Sequence, residues 1–298
     1  MARKQKNNKE DALPTYQDLM DLMARSLGGL PKRKGNAKEQ AQDLFYEAME
    51  SHDPERCFEL LEQCLRLDPK NIDALLAMAT VSGYEGEERI LVLRGIVETA
   101  AKRLGKKAFQ EMVPHFWGFL ETRPYMRARE RLASELMAQG FLEAAAVEYQ
   151  EMLLLNETDN QGVRYELLPT LLALKRLEEA RTLLTQYRGD CEWNVVFAWG
   201  QVLEQFLSGD QKTAAKSLTK ARKQNSHMEP YLVGLKKPPA KMPGSYSPGS
   251  IEEVMCYVRP LLLAWSKHPD ALNWLKEHSP KSSSVKVKRA VKRTKKTP

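Results

Sequence analysis

Five histidines, four cysteines and several paired carboxylates are the residues of this 298-residue chain whose types could carry out catalysis or hold a metal. His52, His115, His227, His268 and His278 are never at metal spacing with a second ligand on one helical face, and no glycine-rich loop follows a strand to cradle a phosphate. Cys57, Cys64, Cys191 and Cys256 lack the paired spacing of zinc sites and of a disulfide framework; Cys57 and Cys64 fall where a small, compact hydrophobe fits between helices. Glu178-Glu179 and Glu252-Glu253 stand at expected helix starts, where the helix dipole accounts for them without acid–base work. The residues predict no enzyme, no cofactor and no metal site.

What remains is recognition. Arg127, Glu130 and Arg131 alternate in sign along one expected helix, while Asn160, Arg164 and Tyr165 open a later one. The planar forks of Arg127 and Arg164 suit either a partner's carboxylate or a neighbouring Glu. A second candidate set is Lys286, Lys288, Arg289, Lys292, Arg293, Lys295 and Lys296, which could neutralise phosphates. Binding there would be strongly salt-dependent, and with no aromatics among the charges it would offer no base stacking.

Charge separates the ends from the body. Residues 279–298 carry eight Lys or Arg and no acid, and residues 1–38 carry nine bases against four acids, so residues 39–278 hold −6 of the net +7. The sequence pI of about 9.1 therefore reports the ends, not the folded surface. No apolar run approaches the ~20 residues that span a bilayer, and the start is basic and polar without a following apolar stretch, so a cytoplasmic location is expected.

The elements that must position these residues are read from a repeat. With Ala145 and Ala180 in one slot, Leu132 matches Leu167, Leu136 matches Leu171, Tyr149 matches Leu184 and Met152 matches Tyr187, an offset of 35 residues. Apolar residues three and four apart, with a small residue where two helices cross, mark a tetratricopeptide array. A further copy places Ala214, Leu218 and Ala221 in line with Ala180, Leu184 and Tyr187, at an offset of 34. Its first helix is expected to hold Trp193, Val196, Trp199, Val202, Leu203 and Phe206.

In chain order, residues 1–12 read as a disordered basic arm, 13–28 as a short amphipathic helix ending at Gly28-Gly29, and 29–37 as a linker. Residues 38–225 are predicted to form the solenoid. Its first pair is closed by Asp68-Pro69, a weaker second begins at 72 and runs to 105, and a further helix carries Phe109, Met112, Phe116, Trp117 and Leu120. Residues 226–278 form a loop and a C-terminal helical cap: five prolines lie between 228 and 250, Ser250 is placed to cap the next helix, and Pro260 and Pro169 sit inside helices. Because Val196, Trp199, Leu203 and Phe206 fall on the face lined by first helices, either the register is shifted by one residue or something covers them, and the 228–250 loop is the nearest candidate. Residues 279–298 are a disordered Lys/Arg-rich tail. The fold class is thus all-α: a right-handed α-solenoid of about five tetratricopeptide-like helix pairs with a C-terminal helical cap and disordered basic ends.

Four stretches carry a resemblance: His115-Phe116-Trp117-Gly118 through Glu121-Thr122-Arg123-Pro124-Tyr125-Met126-Arg127; Asp159-Asn160-Gln161-Gly162-Val163-Arg164-Tyr165; Tyr231-Leu232-Val233-Gly234; and Ala264-Trp265 with Ala271-Leu272. Over roughly residues 40–278 the chain resembles the bacterial tetratricopeptide proteins related to the suppressor of tumorigenicity seven family. The resemblance implies a helical-repeat protein acting through protein contacts, with no catalytic residues to carry over. The expected function is a non-catalytic scaffold or adapter that binds a protein or peptide on its concave face; a nucleic-acid-associated protein held by its basic tail is the alternative.

Overall fold

The computed structural model describes residues 35–279, and within them the regular structure is helical, with no strand. The arm over 1–12, the helix over 13–28, most of the linker over 29–37 and the tail beyond Ser279, including the seven candidate phosphate-binding residues, lie outside the described residues. The chain divides after Gly83 into two compact units, so the stretch expected as one run from 38 to 225 belongs to both.

In the first unit, α1 (Ala37–Glu50), α2 (Pro54–Leu67) and α3 (Ile72–Val81) enclose Ala41, Ala48, Leu60, Leu61, Cys64 and Ala74. Asn36 accepts from the amides of Lys38 and Glu39 at 3.1 Å each, and Asp53 accepts from Glu55 at 3.0 Å just ahead of Pro54. Both helices thus begin with otherwise orphaned donors satisfied. Burial pushes the Cys64 thiol up to about 11, which suits a packing residue rather than a nucleophile.

The second unit opens with α4 (Gly86–Glu111). The separate helix expected to carry Phe109 through Leu120 does not form. Gly105, at φ 73°, breaks α4 shortly before Phe109, and beyond Pro114 the chain makes two 3-10 turns, Phe116–Gly118 and Leu120–Thr122. Phe109, Phe116 and Tyr125 do form an aromatic core, with centroids 5.2, 5.3 and 6.1 Å apart, while Leu120 is 72% exposed.

Three helix pairs follow: α5 (Arg123–Ala138) with α6 (Leu142–Leu155), α7 (Arg164–Ala173) with α8 (Leu177–Gln186), and, after the short α9 (Asp190–Trp193), α10 (Val195–Leu207) with α11 (Gln211–Gln224). The slots matched in sequence are matched in burial, since Ala145, Ala180 and Ala214 are all fully buried. Ala145→Leu adds three carbons at this crossing and is expected to cost about 1–3 kcal/mol, read as a lowered urea midpoint; an unchanged midpoint would contradict the slot assignment.

The turn inside each pair is also shared. Gly140, Lys175 and Gly209 all take positive φ, of 82°, 58° and 85°, and the next residue's amide donates back to the first helix: Phe141 to Leu136, Arg176 to Leu171, Asp210 to Gln205. This is the left-handed close of a helix that glycine makes without steric cost and lysine does not. Lys175→Gly is therefore expected to stabilise the chain by about 1 kcal/mol in urea unfolding, the opposite of what glycine does inside a helix.

Trp193 does not join the first helix of the third pair. Asn194 is extended and caps α10 by accepting from Val196 at 2.8 Å, which leaves Trp193 on α9 and 68% exposed. Val196, Trp199 and Leu203 are fully buried. After the single turn α12 (Glu229–Leu232), the chain reaches α13 (Ile251–Ser266), which packs along α7 and α10, and α14 (Pro269–His278). Val254, Val258, Leu261 and Trp265 supply the buried face of α13, and Phe206 meets Trp274 of α14 at 5.2 Å. Apolar residues four, three and four apart fit α13 to the face it packs along; the loop meets α13 through Tyr246, whose ring stands edge-on to Tyr257 and whose hydroxyl pairs with it, and through the Pro239 carbonyl accepting from Arg259. The cap expected at the end of the array thus lies against first helices.

Candidate functional site

The segment between α6 and α7 is organised by Asp159, which takes positive φ and turns its carboxylate onto the amides of Val163 at 2.8 Å and Arg164 at 3.1 Å. Asp159 thus caps the start of α7; Asn160 is exposed, its side-chain oxygen accepting from the Thr158 hydroxyl at 2.7 Å. Burial pushes the Asp159 carboxyl above its usual range, opposed by its bonds to Arg164 and Val163.

Arg164 is fully engaged within the chain. Its Nε donates to Asp190 at 2.7 Å, Nη1 to Asp159 at 2.8 Å and Nη2 to the Tyr165 hydroxyl at 2.6 Å, while the guanidinium lies 4.3 Å from the Tyr165 ring centre and 5.0 Å from that of Tyr187. The carboxylates it clamps are the protein's own, so it is not available as a fork for a partner's carboxylate.

Beside this knot lies a cavity of about 340 Å³. Glu130 and Ser134 of α5, Tyr149 of α6, Glu166 of α7 and Tyr257 of α13 form its walls, together with residues 159–165. Four of the six candidate residues, Glu130, Asn160, Arg164 and Tyr165, are thereby brought together. Arg127 is half-buried and Arg131 exposed; neither lines the cavity, and both act on the Glu130 carboxyl through charge. The Glu130 carboxyl is raised by burial, opposed by the bond that Gln161 donates and by Arg131.

Glu166 was not among the candidates. Burial, then the facing Glu130 carboxyl, pushes it from the ordinary 4.5 up to about 7, and no donor among the described residues reaches it. Tyr149 is raised by burial first and by the Glu166 carboxylate second. Gln161 gives its Nε2 to Glu130, but its own oxygen is buried without a donor. Glu166 follows Glu130 by one repeat and one residue, which is the signal that adjacent first helices bring the two together. Tyr257 arrives from outside the repeat, and no periodicity announces it.

A wider cavity of about 460 Å³ between α8, α10 and α11 is dominated by a satisfied pair, with Arg181 donating to Glu204 at 2.9 Å and to Ser208 at 2.8 Å. Among the described residues no group of three or more His, Cys, Asp or Glu is placed to hold a metal, and no helix is long and apolar enough to cross a membrane. No family model and no curated protein sequence matches the chain.

Proposed function

We propose that this chain is a non-catalytic protein-interaction scaffold of the tetratricopeptide type, its helix pairs stacked as a right-handed α-solenoid whose first helices receive another polypeptide in the cytoplasm. The observation that carries the reading is the threefold recurrence of one helix pair, with the same fully buried alanine slot and the same left-handed turn at offsets of 35 and 34 residues. Polar side chains collect around a cavity beside the first helices α5 and α7. Such an array has no chemistry to perform at its core, and its exposed face is what varies to suit a partner. The relationship to the suppressor of tumorigenicity seven family belongs to the same proposal, on the four stretches quoted above.

A photo-crosslinking residue placed at Ser134, exposed on the cavity rim, should capture a polypeptide in cells. The same residue at Val147, exposed on α6, should not. Capture at Val147 alone, or at neither position, would overturn the reading.

A further inference from the structure

We propose that the cavity between α5, α6 and α7 takes the guanidinium of an arginine side chain carried by the partner polypeptide. This rests on the interaction reading above and gives it a chemistry. The walls offer acceptors: the buried oxygen of Gln161, which has no donor, the Glu166 carboxyl, which no described donor reaches, and the Glu130 carboxylate, whose Oε2 alone is met by Gln161. A buried acceptor left unpaired, as the Gln161 oxygen is, is destabilising, and a native fold keeps one beside two carboxyls only where something else satisfies it. What they ask for is a group with many N–H donors and a positive charge.

Guanidinium supplies five donors in a plane and tolerates aromatic faces, where an ammonium has three and holds its water more tightly. Tyr149, Tyr165 and Tyr257 line the cavity. The molecule builds the same recognition for its own Arg164, which pairs with two carboxylates and lies over two tyrosines. The volume, about 340 Å³, is in the range of ligand pockets.

Protons and guanidinium compete for this site. The charged and titratable groups facing Glu166 are Glu130 from α5 with Arg127 and Arg131 beside it, Tyr149 from α6, Asp159 and Arg164 at the head of α7, Tyr165 from α7 and Tyr257 from α13. With Glu166 titrating near 7, affinity should rise from pH 5.5 to pH 8.

The probe is N-acetyl-arginine-N-methylamide, titrated calorimetrically into the full chain. Saturable binding at pH 8 is expected, weaker by about tenfold or more at pH 5.5, for the lysine analogue, and for Glu166→Gln or Glu130→Gln, with the uncharged citrulline analogue not binding. Folding of both variants is checked by circular dichroism. Equal binding of the arginine, lysine and citrulline probes, or undiminished binding by Glu166→Gln, would overturn the assignment. Ethylguanidinium bound as tightly as the capped arginine would overturn the polypeptide source. Failure of every probe while crosslinking at Ser134 still captures a polypeptide defeats this inference alone; probe binding without capture defeats the interaction reading instead.

Discussion

Glu253→Ala is expected to lower the thermal unfolding midpoint of the full chain by roughly 8–16 °C, while Glu252→Ala, its neighbour on the same first turn, shifts it by less than about 2 °C. Glu253 is fully buried, and its carboxylate is the meeting point of three elements. Oε1 accepts from the amide of Val195 at 2.8 Å at the start of α10; Oε2 accepts from Asn225 at 2.9 Å after α11 and from the amide of Gly249 at 2.7 Å before α13. Gln224 adds a longer contact at 3.2 Å. Hydrogen bonds to a charged acceptor are among the stronger ones, and truncation also strands two backbone donors away from water, so a loss of about 4 kcal/mol follows. Near-equal shifts for the two variants, followed by circular dichroism, would show that α13 is held by its apolar face alone.

Glu166→Gln should act with the opposite sign. The variant is expected to be more stable than the parent by about 2 kcal/mol at pH 8 and indistinguishable from it at pH 4. The folded chain holds the Glu166 proton up to about pH 7, whereas the unfolded chain releases it near the ordinary 4.5. Between those values the folded state binds more protons, so this group's contribution is most favourable below 4.5, declines as pH rises through the window, and is flat above 7. Glutamine removes that decline. The difference between parent and variant in urea unfolding, taken every pH unit from 4 to 8, isolates Glu166 from Glu130 and Asp159, which titrate in both. Parallel curves would contradict the account. A residue whose loss stabilises the fold is one kept for something other than folding.

Set side by side, these two glutamates show how far the sequence could be read. Alanine slots 35 and 34 residues apart announced the helix pairs, because only a small side chain fits where two helices cross, and that constraint is local. The cap at Ser250 is legible for the same reason, since its side chain meets an amide three residues on. Contacts across longer separations were not. Glu253 stands at an expected helix start, but its carboxylate reaches 58 residues back to Val195, and nothing in the spacing marks that partner. Trp199 needs cover, and sequence order points to the neighbouring loop, whereas α13, with its apolar stripe, packs along the helix that carries Trp199. Arg164 was rightly placed at the head of a helix, but its fork was already occupied from both sides, by Asp159 five residues before it and Asp190 twenty-six after. Of the candidate residues, those that line the cavity were found from the repeat; Glu166 was within reach of the same alignment, and Tyr257 was not.

The most direct measurement is a titration of the Glu166 side-chain carboxyl carbon by NMR in the full chain, assigned by its loss in Glu166→Gln and repeated with N-acetyl-arginine-N-methylamide in excess. The account predicts a midpoint near 7 in the free protein that falls when the arginine probe binds, because a guanidinium beside the carboxylate favours its charged form. A midpoint at the ordinary 4.5, unmoved by the probe, would contradict it.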